Sequence, residues 1–194
     1  RYTIDKPTEN EEPPRNVPRP PVEIPVSPIY RSSDAIANVE HVENEYDDFA
    51  RQPLLPNKLS QLGPSVAIGD VDGDGHEDLF VGGAAGEPGQ LLFNRSGRFV
   101  ASENKVFDDD QSAEDMGAVF LDADSDGDLD LYVVSGGYEF EADAEQLRDR
   151  LYLNNGRAFF EQAPNDALPN VRDSGSCAVA CDFDRDGDLD LFVG

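Results

Sequence analysis

Three short stretches of the chain carry aspartates at alternate positions, a spacing that suits metal binding. Counted from its first aspartate, each stretch has Asp at positions 1, 3, 5 and 9 and Gly at position 6. Carboxylates at alternate positions of a tight loop can turn their oxygens towards one centre, and the glycine permits the sharp bend. These aspartates are Asp70, Asp72, Asp74 and Asp78, then Asp122, Asp124, Asp126 and Asp130, then Asp182, Asp184, Asp186 and Asp190.

Calcium is the cation that such all-oxygen loops favour, because Ca²⁺ takes about six to eight oxygen ligands. A bound cation would also relieve the repulsion among the carboxylates. The main-chain carbonyl at position 7 supplies a further oxygen. We therefore predict up to three Ca²⁺ ions, whose ligand sets also include the position-7 residues His76, Asp128 and Asp188.

Two other interpretations of these stretches are weaker. An EF-hand shares the first six positions, but it needs a bidentate Glu at position 12 and helices on both sides. Position 12 is Val81, Val133 and Val193 here, within apolar runs typical of strands. A solvated acidic turn would explain a single copy, but three copies in register make that interpretation remote.

The aspartate stretches mark a longer repeat. Their first aspartates, Asp70, Asp122 and Asp182, are 52 and 60 residues apart, and the longer period comes from an insertion at 138–150. Repeats of this length are typical of solenoids, propellers and arrays. Each unit contains four short apolar segments, which is the composition of a propeller blade.

The predicted fold class is therefore all-β, a partial β-propeller with about two complete blades and the start of a third. The acidic loops at 70–78, 122–130 and 182–190 should connect the first two strands of each blade. Because a closed propeller needs at least about four blades, we expect the chain to be part of a longer propeller. In isolation it should self-associate, and its third cation site should be the least secure.

Composition divides the rest of the chain. Eight of the fourteen prolines lie in the first 28 residues, so we predict a proline-rich linker or arm at 1–29. An irregular lead-in at 30–62 should pack on the blades, which occupy 63–194. The only helix that the sequence predicts lies in the 138–150 insertion.

Charge and cysteine content exclude several classes of protein. The net charge of -26 and the pI near 4.1 argue against nucleic acid or an anionic membrane as a partner. No apolar run reaches the length of about 18 residues that a membrane span needs. Cys177 and Cys181 would lie about 13 Å apart on one strand, too far for a disulfide, and we expect them to be buried thiols.

Catalytic residues are scarce. The two histidines are His41 and His76, and no Ser nucleophile motif, phosphate-binding glycine loop or Cys-x-x-Cys pair accompanies them. We expect His41 to be a surface residue and the His76 ring to face solvent. The sequence therefore predicts a protein that is not an enzyme.

Loops of the form Asp-x-Asp-x-Asp-Gly-x-x-Asp that recur between strands resemble the FG-GAP or VCBS repeats of integrin α-subunit propellers and of bacterial surface and secreted proteins. Ile68-Gly69 precedes the first loop and Gly83-Ala84-Ala85 follows it, but the other copies lack the glycine, so the match is to the broader bacterial style. The lead-in HVENEYDDFARQPLLPNKLSQLGP is similar to the segment that introduces such repeats in large bacterial proteins related to cartilage acidic protein. The resemblance implies that calcium ties the strands of one blade together.

Two functions follow as expectations. The favoured one is a calcium-stabilised, secreted or cell-surface (extracellular or periplasmic) binding or adhesion module, integrin-like in its blades, whose loops contact a protein or glycan. The other is an accessory or scaffold propeller segment of a larger secreted enzyme. A pocket lined by acids outside the loops would favour the second, and the candidates are Glu139, Glu141, Asp143 and Glu145.

Overall fold

The computed structural model of the chain describes residues 33–36 and 39–194. The predicted proline-rich arm at 1–29 lies outside the described residues, and the predicted lead-in at 30–62 lies partly outside them. The domain boundaries proposed from composition therefore stay predictions. Residues 34–194 form one compact unit, and the description below concerns that unit.

The unit is built from two four-stranded antiparallel sheets and one hairpin, which confirms the all-β prediction. Within each sheet, consecutive strands are hydrogen-bonded neighbours, as expected for blades whose segments are joined by short connections. The first sheet contains β1 (Val66–Gly69), β2 (Asp78–Val81), β3 (Gln90–Asn94) and β4 (Phe99–Ala101). The second contains β5 (Glu114–Leu121), β6 (Asp130–Gly136), β7 (Arg150–Asn154) and β8 (Phe160–Gln162), and the hairpin pairs β9 (Ala178–Cys181) with β10 (Asp190–Val193).

The three acidic loops occupy the same place in each unit, between its first two strands. In every copy the last residue of the incoming strand pairs with the position-9 aspartate, which is the first residue of the outgoing strand. These pairs are Gly69 with Asp78, Leu121 with Asp130 and Cys181 with Asp190. The alignment of the three repeats that the sequence predicts therefore agrees with the pairing of their strands.

The first strands of the three units lie side by side, because β5 contacts both β1 and β9. As a result, β6 is buried on both faces. Leu131 and Val133 belong to the core between the two sheets, whereas Tyr132 and Val134 belong to a second core shared with the hairpin. Alternate residues of a strand point to opposite faces. A strand that is packed on both faces therefore needs apolar residues at consecutive positions.

An aromatic cluster fills the larger core. The Phe107 ring lies 5.3 Å from the Phe80 centroid, 5.0 Å from that of Tyr152 and 6.3 Å from that of Phe160. These tilted and edge-on arrangements are the ones that aromatic quadrupoles favour. Phe107 comes from the connection between the two sheets, so this connection is fixed by packing.

The helix prediction is wrong in position. The insertion at 138–150 forms only a 3₁₀ turn at Glu145–Leu147, and the single α-helix of the described residues is the short α1 (Asp48–Arg51) in the lead-in. Tertiary contacts account for α1: Asp48 is fully buried and its carboxylate accepts hydrogen bonds from the Ser60 hydroxyl and from Leu59 N. Within the described part of the chain, no helix has the length and apolar character that a bilayer crossing demands.

The prediction of buried cysteines is also wrong. Cys177 and Cys181 are both free and exposed. Ala178 and Ala180 turn towards the second core, so the period-two alternation of a strand places the flanking residues on the opposite face, where Val179 is 57% exposed. Both thiols are free, as the spacing argument against a disulfide predicts. The apolar run suggested a strand buried on both faces, whereas only one face of the hairpin is covered.

The lead-in contacts the insertion of the second unit. Arg51 donates from Nη1 to the carbonyl oxygens of Tyr138 and Phe140, at 2.7 and 3.0 Å. Tyr138 in turn donates its hydroxyl to Gln52 Oε1 at 2.9 Å, and Asn44 donates to Glu139 at 3.2 Å. These bonds give part of the insertion a structural role.

A buried carboxyl stands at the junction between the two sheets. Glu114 is only 1% exposed, and its Oε2 accepts a hydrogen bond from Ala85 N at 2.7 Å. Burial raises the pKa of this carboxyl to about 7, and the neighbouring charges of Glu139, Glu43 and Asp115 act in the same direction. Such a group opposes folding once it ionises.

The variant Glu114→Gln is expected to gain stability over the wild type as the pH rises. The carboxyl has a pKa near its ordinary value of 4.5 in the unfolded chain and near 7 in the folded chain. The wild type therefore loses stability as the pH rises from 4.5 through 7, whereas the glutamine variant does not. At pH values above this range, the free energy of unfolding of the variant should exceed that of the wild type by about 3 kcal/mol. Urea unfolding of both proteins in calcium, between about pH 4.5 and 8, measures this difference. Glu103→Gln, at an exposed position, is the control, and a pH-independent difference for Glu114→Gln would contradict the prediction.

Candidate metal centres

The three acidic loops share one backbone path. Position 6 has a left-handed backbone in every copy, with φ of 86°, 95° and 100° at Gly75, Gly127 and Gly187. Only glycine adopts this conformation without steric cost. Position 4 is left-handed as well, at Gly73, Ser125 and Arg185, so the three loops bend at the same two places.

This path brings together the carboxylates at positions 1, 3 and 9 of each loop. One oxygen of each residue can be chosen so that all three lie within 4.8 Å of one another. The three groups are Asp70, Asp72 and Asp78; Asp122, Asp124 and Asp130; and Asp182, Asp184 and Asp190. Nine of the fifteen predicted ligands are thus placed in groups of three.

Backbone N–H groups aim the carboxylate at position 1 in the first two loops. In the first loop, Asp70 accepts from Asp74 N at 3.1 Å and from Gly75 N at 2.9 Å. In the second loop, Asp122 accepts from Asp126 N and Gly127 N, both at 3.1 Å. The same N–H at position 5 also reaches the carboxylate at position 3, at 3.2 Å in both loops. The loops therefore hold their oxygens in place through main-chain bonds.

The position-9 aspartates are anchored most firmly. Asp78 and Asp130 are fully buried. One carboxylate oxygen of each accepts from the N–H at position 2, and the other accepts from the N–H of Asn94 or Asn154 at 2.8 Å. Burial raises the pKa of both carboxyls, although these hydrogen bonds oppose the effect. Position 9 therefore links the acidic loop to the third strand of its own sheet.

Positions 5 and 7 lie outside the groups of three. At position 5, Asp74, Asp126 and Asp186 each accept a hydrogen bond from the backbone N–H of position 7, at 2.9, 3.0 and 3.2 Å. At position 7, the half-exposed His76 ring lies 3.1 Å from an Asp74 oxygen, so it turns towards its own loop. The predicted roles of His76, Asp128 and Asp188 as carbonyl ligands stay predictions.

Within the part of the chain that the structure describes, an arginine pairs with the first loop and no such pair occurs at the other two. Arg95 Nη1 lies 2.7 Å from Asp72 Oδ2 and 2.8 Å from Asp74 Oδ2. The His76 N–H is the main cause of the lowered pKa of Asp74, and Arg95 lowers it further. Arg95 therefore offsets part of the negative charge of the first loop.

The third loop is the least constrained. Asp182, Asp184 and Asp190 are all exposed. Phe183 N donates to Asp190 at 2.8 Å, as position 2 does in the other loops. Among the described residues, however, no N–H donates to Asp182 or to the second oxygen of Asp190. The ranking of the third site as the least secure stays a prediction, and this difference in hydrogen bonding is its structural basis.

Asn94 and Asn154 are site residues that the sequence reasoning missed. Besides donating its N–H to Asp130, Asn154 donates from Nδ2 to Val71 O at 2.8 Å and to Leu129 O at 3.1 Å, so it joins the loops of adjacent sheets. A signal was available, because LLFN and LYLN place an Asn at the end of the same strand in both repeats.

The donor set fits calcium. It consists of oxygen atoms only, and clustered carboxylates of this kind suit a hard cation such as Ca²⁺. Each group of three carries three formal negative charges whose repulsion a divalent cation would offset. The position-5 carboxylate and the position-7 carbonyl oxygen could complete each ligand set.

Asp126→Ala is expected to destabilise the calcium-loaded chain by about 2 kcal/mol, because the second loop would lose a ligand at position 5. The same variant should be as stable as the wild type, or more stable, in excess chelator, because it removes one of the mutually repelling carboxylates. Chemical unfolding in both conditions measures this. Asp143, in the insertion, has φ 65°, so alanine there would add backbone strain; the exposed Asp166 provides the cleaner control. Equal midpoints for Asp126→Ala and Asp166→Ala in calcium would mean that the loop holds no cation.

Comparison with known proteins points to the same repeats. A family model described as FG-GAP-like repeat matches residues 70–133 and 141–193, more than half of the chain. The first match begins at Asp70 and includes the second acidic loop, and the second match includes the third loop. No curated protein matches the chain.

Proposed function

Because the chain belongs to the FG-GAP-like repeat family, we propose that it is a calcium-stabilised binding or adhesion module that works outside the cell. The observation that carries the proposal is the threefold recurrence of one loop geometry. In each copy the carboxylates at positions 1, 3 and 9 converge within 4.8 Å.

Calcium has a structural role in this proposal. The position-9 aspartate joins the first hairpin of each sheet, and in the first two units it also accepts from the third strand. A cation at this position would tie the loop to three strands of one blade. The chemistry that Ca²⁺ supplies here is charge neutralisation and fixed coordination geometry.

Calorimetric titration tests the metal part of the proposal. The calcium-free chain should bind two Ca²⁺ ions at the first and second loops and a third more weakly, and Mg²⁺ should bind poorly because it demands octahedral geometry and dehydrates reluctantly. Asp124→Ala should remove one of the two tighter sites. The absence of calcium binding at millimolar concentration would refute the proposal.

The extracellular setting is supported by the family and by the calcium chemistry. Extracellular calcium modules bind with dissociation constants of about 10⁻⁴–10⁻³ M, a range in which even an exposed loop such as the third would be occupied where calcium is millimolar. The strongly acidic composition, with a net charge of -26, disfavours nucleic acid as a partner. The proposed partner is an extracellular protein or glycan.

We further propose that the chain is not an enzyme. Each histidine is engaged by an acid of its own segment: His41 lies 3.0 Å from Glu43, and His76 lies 3.1 Å from Asp74. Among the described residues, neither ring is hydrogen-bonded to a Ser, Thr or Cys nucleophile, as a general base would be.

One observation favours the alternative, a scaffold segment of a larger secreted enzyme. Glu145, one of the four acids singled out in the sequence, lines a polar cavity together with Asp110 and Asp149. Glu145 is, however, paired with Arg172 at 2.5 Å, and Asp149 accepts hydrogen bonds at both oxygens. Both carboxylates are thus already engaged by neighbouring residues, which suits ligand binding better than proton transfer. Hydrolysis of a bound saccharide would have to be measured before the enzyme alternative is preferred.

A further inference from the structure

A polar cavity of about 450 Å³ lies at the second sheet, and no aspartate of the acidic loops lines it. Its walls come from the segment before β5, from the β6–β7 connection and from the segment after β8. In an antiparallel meander these connections lie at the opposite end of the sheet from the β5–β6 and β7–β8 turns. The cavity is therefore separate from the candidate metal centres.

The lining offers hydrogen-bond donors and acceptors in similar number. Two arginines partly balance three acids, so the formal charge of the lining is close to neutral in a chain that is otherwise strongly acidic. The polar side chains that matter most are Asp110, Arg148, Asp149, Arg150, Gln162 and Asn165.

Arg150 is a buried arginine of this wall. The residue is 8% exposed, and its Nη2 reaches Asp115 at 2.5 Å and Ser135 Oγ at 3.2 Å. These contacts hold the guanidinium in place at the wall of the cavity.

The other polar groups are already fixed in position. Asp149 accepts from the Tyr132 hydroxyl at 2.6 Å and from Ser135 N at 2.8 Å. Asp110 accepts from the Tyr152 hydroxyl at 2.8 Å and from Gln162 Nε2 at 3.0 Å. Binding would therefore cost little side-chain entropy.

We infer that this cavity binds a neutral saccharide; the inference rests on the proposed binding function and names its ligand class. Sugar hydroxyls both donate and accept hydrogen bonds, as this mixed lining requires. The volume of about 450 Å³ lies within the range of small-ligand pockets. An anionic ligand is disfavoured, because the acids of the lining and the net charge of -26 would repel it.

Four single variants test the cavity. Arg148→Ala and Gln162→Ala change its lining, and Arg157→Ala and Gln111→Ala are matched controls at exposed positions that do not line it. The probes are immobilised gluco-, galacto- and manno-oligosaccharides, with uronic-acid oligosaccharides as the anionic comparison. Binding of the calcium-loaded chain is measured on this array, and the melting temperature of each variant confirms that it is folded.

The wild type and both controls should bind at least one neutral oligosaccharide, and each cavity variant should bind it about tenfold more weakly. Binding of no neutral oligosaccharide, or of the anionic ones only, would overturn the inference. Unchanged binding in both cavity variants would place the saccharide elsewhere and would also overturn it. These failures leave the proposed function intact, since that depends on calcium binding and is refuted by the calorimetric titration.

Discussion

Removal of calcium is expected to lower the melting temperature of the chain by about 10–20 °C. A ligand that binds only the folded state contributes RT ln(1 + [L]/Kd), about 2.7 kcal/mol per site at a hundredfold excess over Kd. The two better-constrained loops would together contribute about 5 kcal/mol, and each kcal/mol shifts the melting temperature of a domain of this size by about 2–4 °C.

The loop geometry explains why the effect should be large. Without a cation, each group holds three carboxylates within 4.8 Å. In the first two groups one of the three, Asp78 or Asp130, is fully buried. A buried carboxylate beside two like charges opposes folding. Chelation thus removes a favourable interaction and also restores a repulsion.

Scanning calorimetry in calcium, in excess chelator and after calcium is restored measures the change. Recovery of the melting temperature on adding calcium back separates metal loss from irreversible damage, and magnesium should restore little of it. A melting curve that is the same in excess chelator would eliminate the structural role of calcium.

The repeat architecture was largely predictable from the sequence, because it depends on local patterns. The alternate aspartates, Gly75 and its equivalents, and the flanking apolar runs each constrain a few consecutive residues. The register that they predict agrees with the pairing of Gly69 with Asp78 and of Leu121 with Asp130. A period of about 50 residues then orders the copies without any knowledge of their contacts.

What the sequence did not predict depends on contacts between distant residues. The four-residue helix α1 is too short for a periodic signal, and Asp48 holds it through Ser60. Whether Cys181 is buried depends on which face of the hairpin a neighbour covers. The cavity around Arg150 combines segments that lie tens of residues apart, so composition alone could not place its charges together.

The second large effect is expected from Asp115→Ala, at the junction between the sheets. Asp115 Oδ1 lies 2.5 Å from Arg150 Nη2, and both side chains are at least nine-tenths buried. Asp115 Oδ2 also accepts from Gly83 N at 2.8 Å, and Asp115 N donates to Gly83 O at 3.0 Å. One residue thus connects β5 both to the segment after β2 and to β7.

Asp115→Ala should destabilise the chain by about 3–5 kcal/mol, because it leaves the Arg150 guanidinium buried without its counter-charge. Urea unfolding in saturating calcium measures the loss and keeps the metal contribution constant. Glu141→Ala is the matched control: its pair with Arg51 spans 3.6 Å, but the Glu141 side chain is 88% exposed, so the cost should stay below about 1 kcal/mol.

The double variant Asp115→Leu/Arg150→Met distinguishes the charge from the packing. Replacing both members of a buried ion pair by apolar groups is often close to neutral, so the double variant should recover much of the stability that Asp115→Ala loses, apart from the hydrogen bond to Gly83 N. If Asp115→Ala cost no more than Glu141→Ala, the pair at 2.5 Å would have to be solvated in solution. The junction between the sheets would then rest on the shared apolar core and on hydrogen bonds such as that from Asn154 to Val71 O.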